Sequence, residues 1–227
     1  MIGLGKKVIL ANQLAVVADV AYANGGPGSV SMAWLGSICY TLQIYFDFGG
    51  YSDMAIGLGK MFGFQFLENF RYPYLAQSCR DFWKRWHISL TTWFRDYLYI
   101  PLGGNRGGRA KTWRNMFVVW LFTGVWHGAN WTFIIWGLTW FCLLAAERLW
   151  EPLMGYPLWF RRLCTLVVVN FTWVLFRADT LADALHFLGV MFQYDTAELW
   201  SPETGYYLRQ NWFTLTVAAL ACAPTAT

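Results

Sequence analysis

Charge is what this sequence lacks most. Of its 227 residues only 13% are Asp, Glu, Lys or Arg, half the share of about 25% usual in soluble domains. That scarcity argues against an ordinary water-covered globule. Histidine is also rare, with three in the chain, at positions 87, 127 and 186. The five cysteines (Cys39, Cys79, Cys142, Cys164 and Cys222) show no paired spacing, which excludes a disulfide framework and a cysteine metal site. They read as small hydrophobes, and no metal is expected. No internal repeat, low-complexity tract or interdomain linker is present. The glycine-rich run from Leu102 to Lys111 lacks Gly-Lys-Ser/Thr and a preceding strand, so it is not a nucleotide phosphate loop.

What remains is apolar and aromatic. The chain is 57% hydrophobic and 20% aromatic, with 15 Trp and 12 Tyr. Most of these Trp and Tyr stand near segment ends, where their amphipathic rings suit the headgroup level of a bilayer. We read a polytopic, all-α membrane protein, and the lipid bilayer is its first expected partner. Net charge is only +4, but its placement is informative. Arg71, Arg80, Lys84, Arg85, Arg95, Arg106, Arg109, Lys111 and Arg114 face only Asp81 and Asp96 across that stretch. A basic, aromatic-laced segment is also a nucleic-acid signature. Apolar spans on both sides favour a cytoplasmic membrane face instead, and no nucleic acid is expected.

Taken in order, residues 1–23 imitate a signal peptide, but Asn12, Gln13 and Asp19 interrupt the apolar run. Cleavage is therefore rejected in favour of an amphipathic or short membrane helix. A break follows at residues 24–29. Residues 31–48 form an apolar helix of spanning length. Gly49-Gly50 is expected to hinge it into a second segment that ends near Phe66, with Ser52 or Asp53 as cap. Asp47 and Asp53 at membrane depth cost ~2.5–3.5 kcal/mol each and imply function or a buried polar network; the structural role is favoured. Gly59 and Gly63 offer a close-packing face. The basic, glycine-rich stretch at residues 102–111 is expected to be a cytoplasmic turn, of a kind suited to an anionic lipid or a CoA phosphate. Residues 115–146 are apolar except for a break at residues 123–131, where His127 sits between Gly124 and Gly128 and Asn130 is placed to fix its tautomer. Irregular backbone at that depth must be buried in protein or line a wet cavity. Later helices are expected at residues 163–176, 180–192 and 208–223, with His186 an interface residue.

The chain is organised around residues 80–101, expected as one amphipathic helix stopped by Pro101. Phe82, Trp83, Trp86, Leu90, Trp93, Phe94, Tyr97 and Leu98 share an arc of roughly 160°. Asp81 can pair with Arg85 one turn on. His87 is the polar exception at the edge of that arc. A histidine there is either a satisfied core residue or a functional one.

Three long motifs carry a resemblance. They are Gln43-Ile44-Tyr45-Phe46-Asp47-Phe48-Gly49-Gly50-Tyr51-Ser52-Asp53, then Glu68-Asn69-Phe70 with Asp81-Phe82-Trp83-Lys84-Arg85-Trp86-His87-Ile88-Ser89-Leu90, and Thr123-Gly124-Val125-Trp126-His127-Gly128-Ala129-Asn130-Trp131. With these the chain resembles the membrane-bound O-acyltransferase (MBOAT) family. Within it the chain is similar to the branch that acetylates bacterial alginate and, more distantly, to the teichoic-acid D-alanine transfer branch. The resemblance implies a single partial family domain over residues 1–227, with broken and amphipathic helices around an intramembrane tunnel. Family members are about twice as long, so Met1 is expected to be internal and the far end clipped.

The family pattern maps catalytic roles onto His127 and His87. Acyl transfer from a thioester to a hydroxyl needs a base of near-neutral pKa, which suits histidine. His127 is expected to act as general base, and His87 to orient the acyl group or support the leaving thiolate. Tyr45, Asp47, Arg85, Trp86, Trp126 and Asn130 are expected to bind substrate or line the tunnel. No Ser or Cys has a nucleophile setting, so direct transfer is expected. No tightly bound cofactor is implied; acetyl-CoA or another acyl thioester would be the donor substrate. An exported polysaccharide would accept the group, directly or through periplasmic or extracellular acetyltransferase partners, at a multi-pass protein of the inner membrane. The rival reading is a proton-coupled transporter or channel that uses the intramembrane His and Asp residues. The basic excess predicts that Asn105 faces the cytoplasm. An Asn105→Cys variant without the five native cysteines should resist an impermeant thiol reagent applied to intact cells, and labelling from outside refutes the orientation.

Overall fold

The computed structural model of the chain describes residues 1–23, 25–150, 155–193 and 198–224. Asn24, the first residue of the expected break, lies outside them. In chain order the helices are α1 (Asn12–Tyr22, preceded without interruption by Ile2–Gly5 and a π-helical turn at Lys6–Ala11), α2 (Val30–Met61), α3 (Cys79–Trp83), α4 (Ile88–Phe94, continued by a π-helical turn at Arg95–Tyr99), α5 (Arg109–His127), α6 (Trp131–Trp150), α7 (Leu158–Arg177), α8 (Leu181–Met191) and α9 (Pro202–Ala221). No strand occurs among the described residues, where an isolated bridge joins Ser29 and Glu198. The expected all-helical fold is borne out. Two described helices, α6 and α7, are long and apolar enough to cross a membrane, each with mean hydropathy 1.4. The chain divides into two compact units: Met1–Glu68 with Arg177–Thr227, and Asn69–Phe176.

In the first unit α1 lays Leu14, Val17, Ala18 and Ala21 inward, the i, i+3, i+4, i+7 face of an amphipathic helix. These four are almost fully buried. Tyr22 stacks on Phe187 of α8 with ring centroids 4.2 Å apart, and Trp34 Nε1 donates to the Met191 carbonyl at 3.0 Å. Ser29 caps α2, its Oγ accepting from Met32 N–H at 3.2 Å.

The expected hinge at Gly49-Gly50 is not there. Helix α2 runs unbroken for 32 residues, about 48 Å at 1.5 Å per residue. The glycines serve approach, not bending: a Cβ on Gly50 would stand 2.6 Å from the Gly3 carbonyl oxygen. Ser52 and Asp53 are therefore mid-helix and cap nothing. Gly59 and Gly63 form no helix-packing face either. The Phe66 ring occupies the space beside Gly59, and Gly63 lies beyond the helix end in the left-handed region at φ 82°. Helix α9 starts six residues before the expected 208, because Ser201 caps it and Pro202 opens its first turn.

In the second unit the expected helix over 80–101 is broken in two. Helix α3 spans only five residues and α4 seven, with His87 between them in the left-handed region at φ 45°. The helical-wheel position given to His87 therefore does not apply. A five-residue helix cannot persist alone; aromatic insertion holds it. Phe82 lies parallel to Trp140 of α6 at 5.5 Å and 4°. Trp83 meets Trp120 of α5 at 4.8 Å and Trp140 at 5.1 Å, while Trp86 meets Trp173 of α7 at 4.9 Å. Such pairs contribute ~0.5–1.5 kcal/mol each beyond the area they bury. The start of α3 is satisfied twice. Ser78 Oγ accepts from Asp81 N–H at 3.1 Å, and Glu147 of α6 accepts from Cys79 N–H at 2.6 Å.

Helices α5 and α6 cross at Gly124 and Gly137. A Cβ on Gly124 would stand 2.6 Å from the Phe133 carbonyl oxygen, and one on Gly137 would strike that of Trp120. Gly137→Ala should force the two backbones apart and destabilise by ~1–3 kcal/mol, the usual range for overpacking. Thermal unfolding in detergent checks this, and an unchanged midpoint would contradict so close a crossing.

Candidate active site

The second unit holds two histidines, each at an interruption of helix. His87 occupies the αL turn between α3 and α4, a conformation uncommon for a residue with a Cβ and costing about 1–3 kcal/mol. Backbone pairing overrides the cost. Ile88 N–H donates to the Asn69 carbonyl at 3.0 Å and Arg71 N–H to the Arg85 carbonyl at 2.9 Å, so residues 69–71 run stitched beside the turn. The Asn69 side chain closes the clamp: its Oδ1 accepts from Ser89 N–H at 3.1 Å and Ser89 Oγ at 2.9 Å, with His87 Nδ1 3.2 Å away. His87 is half-buried. It lies outside the apolar spans, and burial, then the neighbouring His127, pushes its pKa down to about 4. Its imidazole is neutral at physiological pH.

His127 is the last residue of α5, and the break after it falls within residues 123–131, as expected. Asn130 Oδ1 accepts from Thr132 N–H at 3.2 Å, which opens α6, so its described bond serves the backbone. The His127 ring is walled by Trp136 at 5.1 Å and 88°, and by Phe176 at 5.0 Å and 86°. Trp126 joins the pair. Its ring centroid lies 6.1 Å from that of His87 and 4.8 Å from that of His127, so their separation cannot exceed the sum of those distances. Residues 40 positions apart in sequence are thus neighbours on one indole, which is itself 57% exposed.

Of the other expected site residues, Trp86 is buried among Phe70, Phe82 and Trp173. Arg85 Nε donates to Asp81 Oδ1 at 2.8 Å, the pairing read from their spacing. Asp47 and Tyr45 belong to the first unit. Lys7 forms an ion pair with Asp47, and Lys6 with Asp53 at 2.8 Å; Tyr45 is buried beside Phe46. His186 is exposed and lies over Gly26. Sequence reasoning missed the roles of Asn69 and Ser89. Periodicity carries no trace of Asn69, which lies outside any helix, and only its place in a matched motif marked it. A cavity of about 250 Å³ opens beside Trp83, Trp120 and Thr123 with Arg80, Lys84 and Arg95 around it. A second, of about 620 Å³, follows the basic turn past Arg106, Lys111 and Arg114. Asn115, fully buried, holds that turn through the carbonyls of Leu102 and Gly104, both at 3.1 Å.

A pair of neutral imidazoles in an aromatic, low-charge setting can accept and pass protons, as acyl transfer requires. Comparison with known proteins shows what the chain as a whole is similar to. The probable alginate O-acetylase of Pseudomonas putida is 52% identical over 203 residues, covering 88% of this chain and 41% of the relative. The peptidoglycan O-acetyltransferase of Helicobacter pylori is 44% identical over 192 residues, 82% of this chain and 36% of that protein. The teichoic acid D-alanyltransferase of Bacillus subtilis is 33% identical over 119 residues, 49% and 30% respectively. The chain thus spans about two-fifths of the length of such alginate O-acetylase relatives. The model of the membrane-bound O-acyltransferase family matches residues 19–182, a stretch that contains both His87 and His127, and the chain belongs to that family.

Proposed function

We propose that the protein of which this chain is part is a multi-pass inner-membrane acyltransferase, moving an acetyl group from a cytoplasmic thioester toward an exported polysaccharide or a partner protein that acetylates it. The observation that carries this reading is the approach of both His87 and His127 to the Trp126 ring. His127 acts as general base on the acceptor hydroxyl, and His87 serves the acyl end. The exposed Trp126 and the guanidinium of Arg85 line the path between them. The basic turn, with Arg106, Lys111 and Arg114 around one cavity, is suited to the phosphates of acetyl-CoA or another anionic donor. A proton-coupled transporter is the weaker reading: Lys7 and Lys6 already neutralise Asp47 and Asp53, which removes the unpaired carboxylates a relay would use.

With labelled acetyl-CoA and polymer as substrates, His127→Ala should lower transfer by ~10²–10⁴-fold, the usual share of general-base catalysis. His87→Ala should be comparably severe and His186→Ala near neutral. The double variant should be little worse than the worse single one, because residues acting as a unit are non-additive. Near-normal transfer by His127→Ala rejects the assignment, as does proton-coupled uptake without transfer.

A further inference from the structure

We propose that Asn69 is a positioning residue that holds His87 in its Nδ1–H tautomer and so makes Nε2 the proton-accepting nitrogen. This deepens the acyl-transfer reading, on which it rests for its chemical role.

The orientation of an amide is settled by its partners, since its oxygen and nitrogen have nearly the same shape. At Asn69 the deciding partner is the backbone N–H of Ser89, which can only donate and meets Oδ1 at 3.1 Å. The atom there is therefore the oxygen. Ser89 Oγ gives its proton to the same oxygen at 2.9 Å. His87 Nδ1 lies 3.2 Å from it, and an amide oxygen has no proton to offer. The contact is attractive only if Nδ1 carries hydrogen; a bare Nδ1 would set two lone pairs face to face. Ser89 Oγ, 3.3 Å from Nδ1, has its proton committed to Asn69 and becomes a second acceptor for the same N–H. A neutral imidazole has a single N–H, so its lone pair is on Nε2. The ring is held neutral by its burial, and the tautomer is set by the bond the other nitrogen makes.

The consequence is directional. In this state His87 has no proton to give at Nε2. Any proton it hands to a departing thiolate must first have been taken up there, while Nδ1–H stays bonded to Asn69 and stabilises the imidazolium. Asn69 needs no contact with substrate to have this effect.

Two-bond ¹H–¹⁵N correlation spectra of the ¹⁵N-histidine-labelled chain in lipid nanodiscs at pH 8 provide the test. The three histidines are assigned with His87→Gln, His127→Gln and His186→Gln. His87 should show a pyrrole-type Nδ1 and a pyridine-type Nε2. Asn69→Ala should move it toward the Nε2–H form, and Asn69→Asp, whose carboxylate accepts the same bond, should preserve Nδ1–H. A pyridine-type Nδ1 in the unmodified protein overturns the proposal, and that spectrum decides the matter even if Asn69→Ala fails to fold. An unchanged spectrum in a folded Asn69→Ala overturns it too. If the tautomer is as stated but His87→Ala retains full acetyl transfer, the hold by Asn69 stands and the acyl-transfer role of His87 is what fails.

Discussion

The parallel stack of Phe82 on Trp140 is the contact from which the second unit is built. Helix α3 is too short to survive on its own hydrogen bonds, yet it carries the chain into the turn that presents His87. Phe82 has no exposed surface, and Trp83 and Trp86 are nearly as deeply buried. Each is gripped by rings from α5, α6 or α7. The indole nitrogens of Trp83, Trp136, Trp140 and Trp173 are buried without a hydrogen-bond partner. Ring geometry therefore holds them, with near-perpendicular pairs such as Trp83 and Trp140 at 86° setting the positive edge of one ring against the face of the next. Glu147 on α6 reaches back to cap α3, so the helix that supplies the stacking partner also supplies the cap.

Parts of this arrangement are legible in the residues. The pairing of Asp81 with Arg85 follows from i, i+4 spacing, and the interruption after His127 from Gly124, Gly128 and Asn130 in an otherwise apolar run. The positions of His87 and His127 as functional candidates came from polarity set against an apolar background. Other parts are hidden because tertiary contact overrides the local signal. Gly49-Gly50 reads as a hinge, but a neighbouring helix packs on Gly50 and uses the missing Cβ for closeness, and α2 runs on unbroken. The arc of aromatic residues over 82–98 imitates one helix, while the rings serve two short helices parted by a left-handed turn at His87. Nothing in residues 80–101 foretells the left-handed His87; that turn exists because residues 69–71, from outside any helix, pair with it.

The two histidines also differ in how they are supported. His87 is held by hydrogen bonds from a polar clamp, His127 by aromatic walls at a helix end. A clamp fixes which nitrogen bears the proton, whereas walls of Trp136, Phe133 and Phe176 fix only where the ring lies.

The ion pairs of the first unit bear on how the protein enters a membrane. Were helix α2 to enter hydrocarbon alone, Asp47 and Asp53 would each cost ~2.5–3.5 kcal/mol on insertion scales. Lys6 and Lys7 meet these carboxylates from the helical run that leads into α1, only a short turn away in sequence. Entry as a hairpin, with the charges already joined, avoids most of that barrier.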